Sequence, residues 1–436
     1  MISRSTRIQR IVGDIAEVEA TGVALGELAE ICNVDGRIRS AQVIALDRQR
    51  VSLQVLAGTR GLSTAATVRF SGTPARWRHT REALGRVFSG SGAPIDGKPR
   101  LVSGVEVDIA GPSVNPVRRV VPRGFIETGV PMIDVFNPLV ESQKMPIFSA
   151  PGEPHSELLA RIAAQAHADI IIFGGIGLRF DDFAFFRDRF EAAGVMDRTV
   201  MFVHTAADPV VERLLVPDLA LAAAEQFGIA GERVLVLLTD VTAFADALKE
   251  IGVAMEQVPS KAGYPGSLYS DLAARYEKAV DFDGAGSITI LAVTTMPGGD
   301  ITHPVPDNTG YITEGQYTLR DGVIDPFSSL SRLKQLVMGS VTRDDHGPLA
   351  NAMIRLYARA RDAKKKRSMG FALTDADERV LRYGELFEEH FADLGVQLPL
   401  EDALDLGWKT LAACFEPSEV GVKAAVLKVY WPAEED

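Results

Sequence analysis

Apolar and polar residues alternate with a period of two near the start of the chain, which is the pattern of half-buried β-strands. The alternation runs through residues 50–56 and returns at residues 66–70 after a glycine-rich turn. Several short strands in so short a stretch predict a small antiparallel β-barrel over residues 1–72. An irregular β-sheet cap is the alternative that this pattern leaves open.

From about residue 145 the pattern changes to apolar runs that alternate with helical patterns. The apolar runs are rich in β-branched residues and nearly continuous, as in strands buried on both faces; they are residues 169–173, 199–203, 233–238 and 287–293. Helical patterns lie around residues 182–193, 217–227, 242–257 and 267–279. This βαβ series predicts an α/β domain with a parallel sheet over residues 73–345. The connection at residues 85–97, rich in glycine and proline, predicts surface loops.

Strand patterns end near residue 345, and residues 346–436 predict a helical bundle. Apolar residues at helical spacing form a first face, Leu349, Met353, Leu356 and Ala360, and a second, Val380, Tyr383, Phe387, Phe391 and Leu394. A capping box at Thr374 and Asp377 precedes the second helix, and a third helix is expected after Pro399. The basic residues 364–367 are interpreted as the end of the first helix, where cations suit the helix dipole, in preference to a nucleic-acid patch.

Composition narrows the class of protein. A chain of 436 residues with 46% hydrophobic and 24% charged residues is typical of a globular protein of two or three domains. We find no apolar run of about 18 residues that would span a membrane and no apolar secretion signal at the N-terminus. Cys32 and Cys414 are far apart and outside any CxxC motif, which argues against disulfide or metal roles. The net charge of −12 argues against a nucleic-acid partner. We therefore expect a cytoplasmic, acidic, multidomain protein.

Residues 146–156 have the outline of a phosphate-binding loop, a strand end followed by a small-residue turn and a helix. On the template G-x-x-x-x-G-K-[ST], the first glycine, the second glycine, the lysine and the hydroxyl residue fall on Ser149, Pro154, His155 and Ser156, and the loop's own glycine is Gly152. Pro154 has no N–H to offer a phosphate, and His155 is shorter than lysine and mostly neutral at pH 7. The loop therefore predicts a nucleotide-binding framework that has lost its catalytic parts.

Two further positions bear on catalysis. Asp240 follows the strand pattern of residues 233–238, as a Walker B carboxylate would, although such an Asp also often caps the next helix. Beside the loop we interpret it as a vestigial metal position. Leu178 stands where active ATPases commonly place the glutamate that activates water. Asp181 and Asp182 follow closely, but they equally suit the acidic first turn of a helix.

Three segments are dense in special residues. Residues 258–272 form a Pro/Gly/Tyr loop that leads into a helix, and residues 296–316 are predicted to be a long polar loop without secondary structure. Loops of such length are usually functional or disordered, and the interleaved Tyr, Ile and Val argue against disorder. Arg332 lies in a serine-rich turn at residues 327–333. A lone arginine is usually a solvated surface charge, so only its context gives it a role.

From residue 84 to about residue 343 the chain resembles the B subunit of V-type and A-type rotary ATPases, and the resemblance extends more weakly over both termini. The stretches that carry it are Gly85-Arg-Val-Phe, Pro94-Ile-Asp-Gly97, Phe125-Ile-Glu-Thr-Gly-Val130, Gln143-Lys-Met-Pro-Ile-Phe148 with Pro154-His155, Gly263-Tyr-Pro-Gly266, Asp300-Ile-Thr-His-Pro304, Thr309-Gly-Tyr-Ile-Thr-Glu-Gly-Gln316 and Ser329-Leu-Ser-Arg-Leu333. The Pro-His pair in place of Gly-Lys is itself typical of this subunit. The chain departs from the family pattern at Ala262, at the pair Phe327-Ser328, and in the loop segment Ala150-Pro151-Gly152.

The resemblance implies an α/β protein with a small N-terminal β-barrel, a central P-loop-type (RecA-like) nucleotide-binding domain with a parallel sheet, and a C-terminal helical bundle. It implies a ring of three A and three B subunits that couples ATP synthesis or hydrolysis to proton or sodium transport by rotation. Arg332 would be an arginine finger acting on the catalytic site of an A subunit. The interface loops would carry Lys261, Tyr264, Tyr311 and Gln316.

The resemblance also implies the ligands and partners. ATP or ADP with Mg²⁺ would be held mainly by the A subunit, with no tightly bound cofactor and no metal site in this chain. The partners would be the A subunit and the central and peripheral stalks, with the membrane contacted only indirectly, from its cytoplasmic side. The isolated chain is expected not to be an enzyme. The alternatives are a self-sufficient hexameric RecA-like ATPase of a secretion or RNA-translocating motor, which Pro154, His155 and Leu178 weigh against, and a scaffold in which Arg332 is not catalytic.

Overall fold

The computed structural model describes residues 5–56, 58–111, 116–122 and 124–433. The first domain is a closed antiparallel barrel in which β1 pairs with both β2 and β6. Its strands are β1 (Ser5–Val12), β2 (Ile15–Glu19), β3 (Glu27–Cys32), β4 (Ile38–Asp47), β5 (Arg50–Val55) and β6 (Thr67–Pro74). Val51, Leu53 and Val55 are buried in its core, as their alternation indicates. The predicted barrel is confirmed; residues 1–4 and 57 lie outside the described part of the chain.

The central domain is an α/β domain whose sheet is mainly parallel. Its strands are β7 (Arg76–His79), β8 (Arg86–Ser89), β9 (Val105–Asp108), β10 (Phe125–Ile126), β11 (Leu139–Val140), β12 (Lys144–Ser149), β13 (Ile170–Leu178), β14 (Thr199–Thr205), β15 (Arg233–Thr239), β16 (Val280–Asp281), β17 (Ser287–Thr295), β18 (Gly315–Arg320), β19 (Val323–Ile324) and β20 (Leu330–Ser331). Its helices are α1 (Pro131–Asp134), α2 (His155–Gln165), α3 (Phe180–Ala192), α4 (Val210–Ile229), α5 (Val241–Ala254), α6 (Leu268–Tyr276) and α7 (Pro304–Ile312).

The sheet order places the strands that lead to the candidate site side by side. The main path runs β19-β18-β12-β17-β15-β13-β14-β8, and every pair from β18 to β8 is parallel. The four predicted strands are present as β13, β14, β15 and β17, and their apolar runs are buried on both faces, as parallel sheets require. The predicted parallel α/β domain is therefore confirmed.

One predicted connection is wrong. Residues 86–89, taken as part of a surface loop, form the buried edge strand β8, which pairs in parallel with β14. The buried guanidinium of Arg86 is neutralised by Asp96, with which it forms an ion pair. The strand has only four residues, and the neighbouring Gly85, Gly90, Gly92 and Pro94 are typical of a loop.

The last domain is helical, with α8 (His346–Ser368), α9 (Asp375–Phe387), α10 (Leu400–Ala412) and α11 (Ala424–Tyr430). The predicted capping box is present, with Thr374 Oγ1 accepting from Asp377 N and the Asp377 carboxylate accepting from Thr374 N. The basic run at residues 364–367 ends α8, and α10 follows Pro399, as predicted. The short helix α11 was not predicted. None of the helices in the described ranges is both long enough and apolar enough to cross a membrane.

A buried carboxylate joins the helical domain to the central one. Asp345 is fully buried and accepts two hydrogen bonds from the Arg343 guanidinium, at 2.7 and 2.9 Å. Its Oδ2 also accepts from Trp408 Nε1 of α10 at 2.6 Å. The next residue, His346, places Nε2 2.8 Å from the carbonyl oxygen of Val135 in the central domain. The segment between the domains is thus tied to both.

Glu212 is a buried carboxyl group in the first turn of α4, beside the loop that follows β8. A Cβ atom built on Gly90 would lie only 2.6 Å from Glu212 Cβ, so only glycine fits this contact. Burial, together with the nearby Asp208 carboxylate, raises the pKa of Glu212 to about 7.

This pKa makes stability depend on pH. Because the folded protein keeps the Glu212 proton to higher pH than the unfolded chain, with its ordinary pKa of 4.5, stability should fall as pH rises from 4.5 to about 7. Glu212→Gln cannot ionise, so it should be more stable than wild type at pH 7.5, by up to about 3 kcal/mol, and similar to it near pH 4.5. Unfolding midpoints at both pH values test this, with exposed Glu250→Gln as the control. A difference that does not change with pH would contradict it.

Candidate functional site

The predicted phosphate loop lies between β12 and α2. Helix α2 begins at His155 with Pro154 at its N-cap, so this turn presents a residue without an N–H where a phosphate loop has glycine. Ser149 is fully buried, and its hydroxyl oxygen lies 3.0 Å from His155 Nδ1. Ser156 lies half-buried in the first turn of α2. The His155 imidazole therefore forms a hydrogen bond within the loop itself.

Glu153, which the sequence did not single out, ties the loop to the neighbouring β18–β19 turn. Its two carboxylate oxygens accept hydrogen bonds from the backbone N–H of Asp321 at 3.0 Å and of Gly322 at 2.9 Å. Gly152, beside it, has a φ of 90°, which favours glycine. The loop conformation is fixed by contacts within this chain.

Asp240 is the N-cap of α5. Its Oδ1 accepts from Thr242 N at 2.9 Å and from Thr295 N at 3.1 Å, and its Oδ2 accepts from the Thr295 hydroxyl. Burial raises its pKa even though these donors favour the charged form. The capping interpretation is confirmed, whereas the vestigial metal position stays a prediction. In the described ranges, no three His, Cys, Asp or Glu side chains are grouped to hold a metal ion.

The position predicted to have lost its catalytic glutamate ends strand β13. Leu178 is 7% exposed there and packs in the core. Arg179, which follows it, donates two hydrogen bonds to the Asp182 carboxylate at 2.8 and 2.7 Å. Asp181 and Asp182 lie in the first turn of α3, so the helix-start interpretation of these acids is confirmed. Both oxygens of the Asp182 carboxylate therefore accept hydrogen bonds from Arg179.

Arg332 directly follows β20 and is exposed. Its backbone N–H donates to the carbonyl oxygen of Glu314 at 2.9 Å, and its Nη1 donates to that of Thr313 at 3.1 Å. Over the described residues we find no carboxylate paired with this guanidinium, unlike that of Arg343. The arginine is thus anchored through its backbone and carries a charge that is free to meet another molecule.

The four residues predicted in interface loops have different surroundings. Tyr311, on α7, is 76% exposed, Lys261 is exposed, and Gln316 is half-buried. Tyr264 is only 3% exposed, and its hydroxyl donates to Asp246 Oδ1 at 2.7 Å. Its side chain therefore holds the loop against α5, and the placement of this loop at a subunit interface stays a prediction.

The long polar loop predicted over residues 296–316 is wrong in part, because residues 304–312 form α7 and β18 starts at Gly315. Pro304 and Pro306, which look like loop residues, lie in the first turn of the helix, where a missing N–H costs nothing. The helix carries Tyr311 to the surface and leads through Thr313 into the segment that anchors Arg332.

A cavity of about 750 Å³ separates the degenerate loop from the helical domain, and sequence reasoning missed it. Its lining includes Pro154 of the loop and Tyr357 and Arg361 of α8. Arg361 Nη1 lies 3.4 Å from Asp325 Oδ1, which bridges the two domains across this space. Only the fold brings Pro154 close to Tyr357 and Arg361, since about two hundred positions separate them in the sequence.

Comparisons with known proteins cover all three domains. Residues 8–72 match the beta-barrel domain of the ATP synthase alpha/beta family, residues 129–325 match its nucleotide-binding domain, and residues 336–431 match the C-terminal domain of V and A type ATP synthase. Proteins called V-type ATP synthase beta chain are 58% identical in Borrelia turicatae (99% of both chains), in Protochlamydia amoebophila (98% of this chain, 97% of the relative) and in Treponema denticola (98% and 99%). The similarity thus extends over nearly the whole chain.

Proposed function

Because the chain belongs to the family of V-type ATP synthase beta chains, we propose that it is the regulatory, non-catalytic B subunit of the A–B ring and that Arg332 completes the catalytic site of a neighbouring A subunit. The ring couples ATP synthesis or hydrolysis to transmembrane ion transport by rotation. The observation that carries the proposal is Arg332 itself, exposed and without a carboxylate partner among the described residues. The resemblance found in the sequence is confirmed.

The chemistry suits an arginine. Phosphoryl transfer spreads negative charge over the equatorial oxygens of the transferred group, and a guanidinium that reaches across an interface stabilises that charge, an effect of about 10³–10⁵ in rate. Its planar fork can donate two parallel hydrogen bonds to phosphate oxygens, which lysine cannot do. The guanidinium of Arg332 uses Nη1 to bond the Thr313 carbonyl oxygen, which leaves most of its five N–H donors available.

This chain's own loop does not suit the chemistry. Pro154 offers no N–H, and the imidazole of His155 contacts Ser149. The carboxylate of Asp240 accepts hydrogen bonds from Thr242 and Thr295. ATP or ADP with Mg²⁺ is accordingly held mainly by the A subunit, which supplies the phosphate cradle and the group that positions water. No tightly bound cofactor is assigned to this chain.

The same proposal sets the partners and the location. The alternating ring contains three A and three B subunits around a central stalk, is held by peripheral stalks, and lies on the cytoplasmic side of the membrane, which this chain contacts only indirectly. The net charge of −12 agrees with the absence of a nucleic-acid partner. Whether the ion is a proton or sodium depends on the membrane sector.

The self-sufficient hexameric motor is not supported, because the helical domain matches the C-terminal domain of V and A type ATP synthases. The scaffold alternative keeps the ring but gives Arg332 no part in turnover. Replacing Arg332 in assembled rings distinguishes the two hypotheses, because ATP turnover should fall if Arg332 is the finger and stay unchanged if the chain is only a scaffold.

The purified chain should release no phosphate from ATP, whereas the chain mixed with an A subunit that carries an intact Gly-Lys-Thr loop should release it.

The variant with both Pro154→Gly and His155→Lys should bind ATP more tightly, because it regains a backbone donor and a cation. It should still not hydrolyse ATP, because it lacks a positioned base and an arginine finger from a neighbour. Calorimetric titration beside a phosphate-release assay tests both halves. Turnover of about 1–10 s⁻¹ by either form alone, ordinary for an enzyme, would refute the proposal.

A further inference from the structure

Gln143 is fully buried immediately before β12, and both the nitrogen and the oxygen of its side-chain amide form hydrogen bonds. Its Nε2 donates to the carbonyl oxygen of Glu314 at 3.2 Å and to Ser331 Oγ at 3.1 Å. Its Oε1 accepts from Val140 N at 3.1 Å. The hydroxyl of Ser331 in turn donates to the carbonyl oxygen of Pro138 at 3.0 Å. A buried, fully bonded amide of this kind fixes the segments it joins.

The segments that Gln143 joins are the ones that hold Arg332. The carbonyl oxygen of Glu314 accepts one hydrogen bond from Gln143 and another, at 2.9 Å, from the backbone N–H of Arg332. Ser331, bonded to the same amide, immediately precedes Arg332 and is 1% exposed. One buried side chain thus bonds both the strand that receives the Arg332 N–H and the residue that precedes Arg332.

The packing around this contact leaves little room for adjustment. Gly315 pairs with Ser331 across β18 and β20, and a Cβ atom at Gly315 would lie 2.1 Å from the carbonyl oxygen of Leu330. By contrast, the Arg332 guanidinium has only the Thr313 carbonyl as its hydrogen-bond partner among the described residues. The position of the guanidinium therefore depends on where its backbone is held.

Resting on the proposed function of Arg332, we propose that Gln143 is a positioning residue for this arginine in the reaction of the neighbouring A subunit. A guanidinium stabilises the transition state only when it lies within bonding distance of the transferred phosphoryl oxygens, and a displacement of about 1 Å can lower the rate about a hundredfold. Gln143 contributes by clamping the Glu314 carbonyl and the Ser331 hydroxyl, so that Arg332 leaves the surface at one fixed point. Gln143 itself does not touch the nucleotide.

A double-mutant cycle in reconstituted A–B rings tests this. Gln143→Leu keeps a similar volume but loses the amide, and it should lower the kcat for ATP hydrolysis about 10–100-fold with the KM for Mg-ATP within about threefold, because the loss is confined to the transition state. In rings that already carry Arg332→Ala, the same substitution should change kcat less than about twofold, because the residue through which it acts is gone. A general structural role would instead lower turnover in both backgrounds.

Two further variants keep the test decisive. Gln54→Leu makes the same change at a buried glutamine of the barrel and should leave the kcat unchanged. If Gln143→Leu rings do not assemble, Ser331→Ala removes only one hydroxyl from the clamp and should show the same dependence on Arg332. Equal losses with and without Arg332, or no loss in either variant, would overturn the proposal. If Arg332→Ala alone has no effect, the proposed finger fails first, so the two failures are distinguishable.

Discussion

Replacing Arg332 with alanine is expected to lower ATP turnover by A–B rings about a thousandfold or more, because the transferred phosphoryl charge loses its guanidinium. Arg332→Lys should also be strongly impaired, since it keeps the charge but loses the planar fork. Both variants should assemble, because the arginine is exposed and its anchor to the chain is through the backbone. Steady-state phosphate release from the reconstituted rings measures the effect.

The matched control is Arg320→Ala, which removes an exposed arginine from the other end of β18 and should leave turnover near that of wild type. Arg332→Ala rings within about threefold of wild type, a loss of less than about 1 kcal/mol, would exclude the finger and favour the scaffold.

Replacing Asp345 with alanine is expected to destabilise the chain by about 3–5 kcal/mol, the usual loss when one partner of a buried ion pair is removed. The buried Asp345 accepts from both Arg343 and Trp408, so its loss leaves the indole N–H without this acceptor at the junction of two domains. Urea unfolding of the purified chain measures the change.

Asp405→Ala is the control, because Asp405 binds the same Arg343 at 2.7 Å but has a side chain 60% exposed. A surface pair of this kind is worth about 1 kcal/mol or less. Equal unfolding midpoints for Asp345→Ala and Asp405→Ala would show that the buried carboxylate does not hold the junction.

The three-domain architecture could be predicted because each domain has a different hydrophobic period. Alternation at residues 50–56 indicates a strand with one face in a barrel, and continuous apolar runs such as residues 233–238 indicate strands inside a parallel sheet. Strand β8 escaped notice because four residues between glycines and prolines carry no period, and only its pairing with β14 buries it. Helix α7 escaped because prolines at a helix start look like loop residues.

The candidate site was predictable residue by residue where a template exists, and not where contacts are long-range. Pro154 and His155 were found by aligning the loop to a phosphate-loop template. Gln143 and Ser331, in contrast, are separated by 188 positions and meet because β18 pairs with both β12 and β20. The resemblance assigns Tyr264 to an interface loop, and the sequence does not reveal that its ring packs inward to reach Asp246. A sequence pattern shows which residues are unusual, while the fold decides which of them face outward.

The most direct measurement of the central claim is the rate of ATP cleavage in a single turnover, made together with nucleotide affinity on the same rings. With Arg332→Ala, Mg-ATP should bind the A subunit within a few-fold of wild type, while the cleavage step slows about a thousandfold, because the finger acts mainly on transition-state charge. Cleavage at the wild-type rate with slow product release, or a loss of binding as large as the loss of cleavage, would contradict the account.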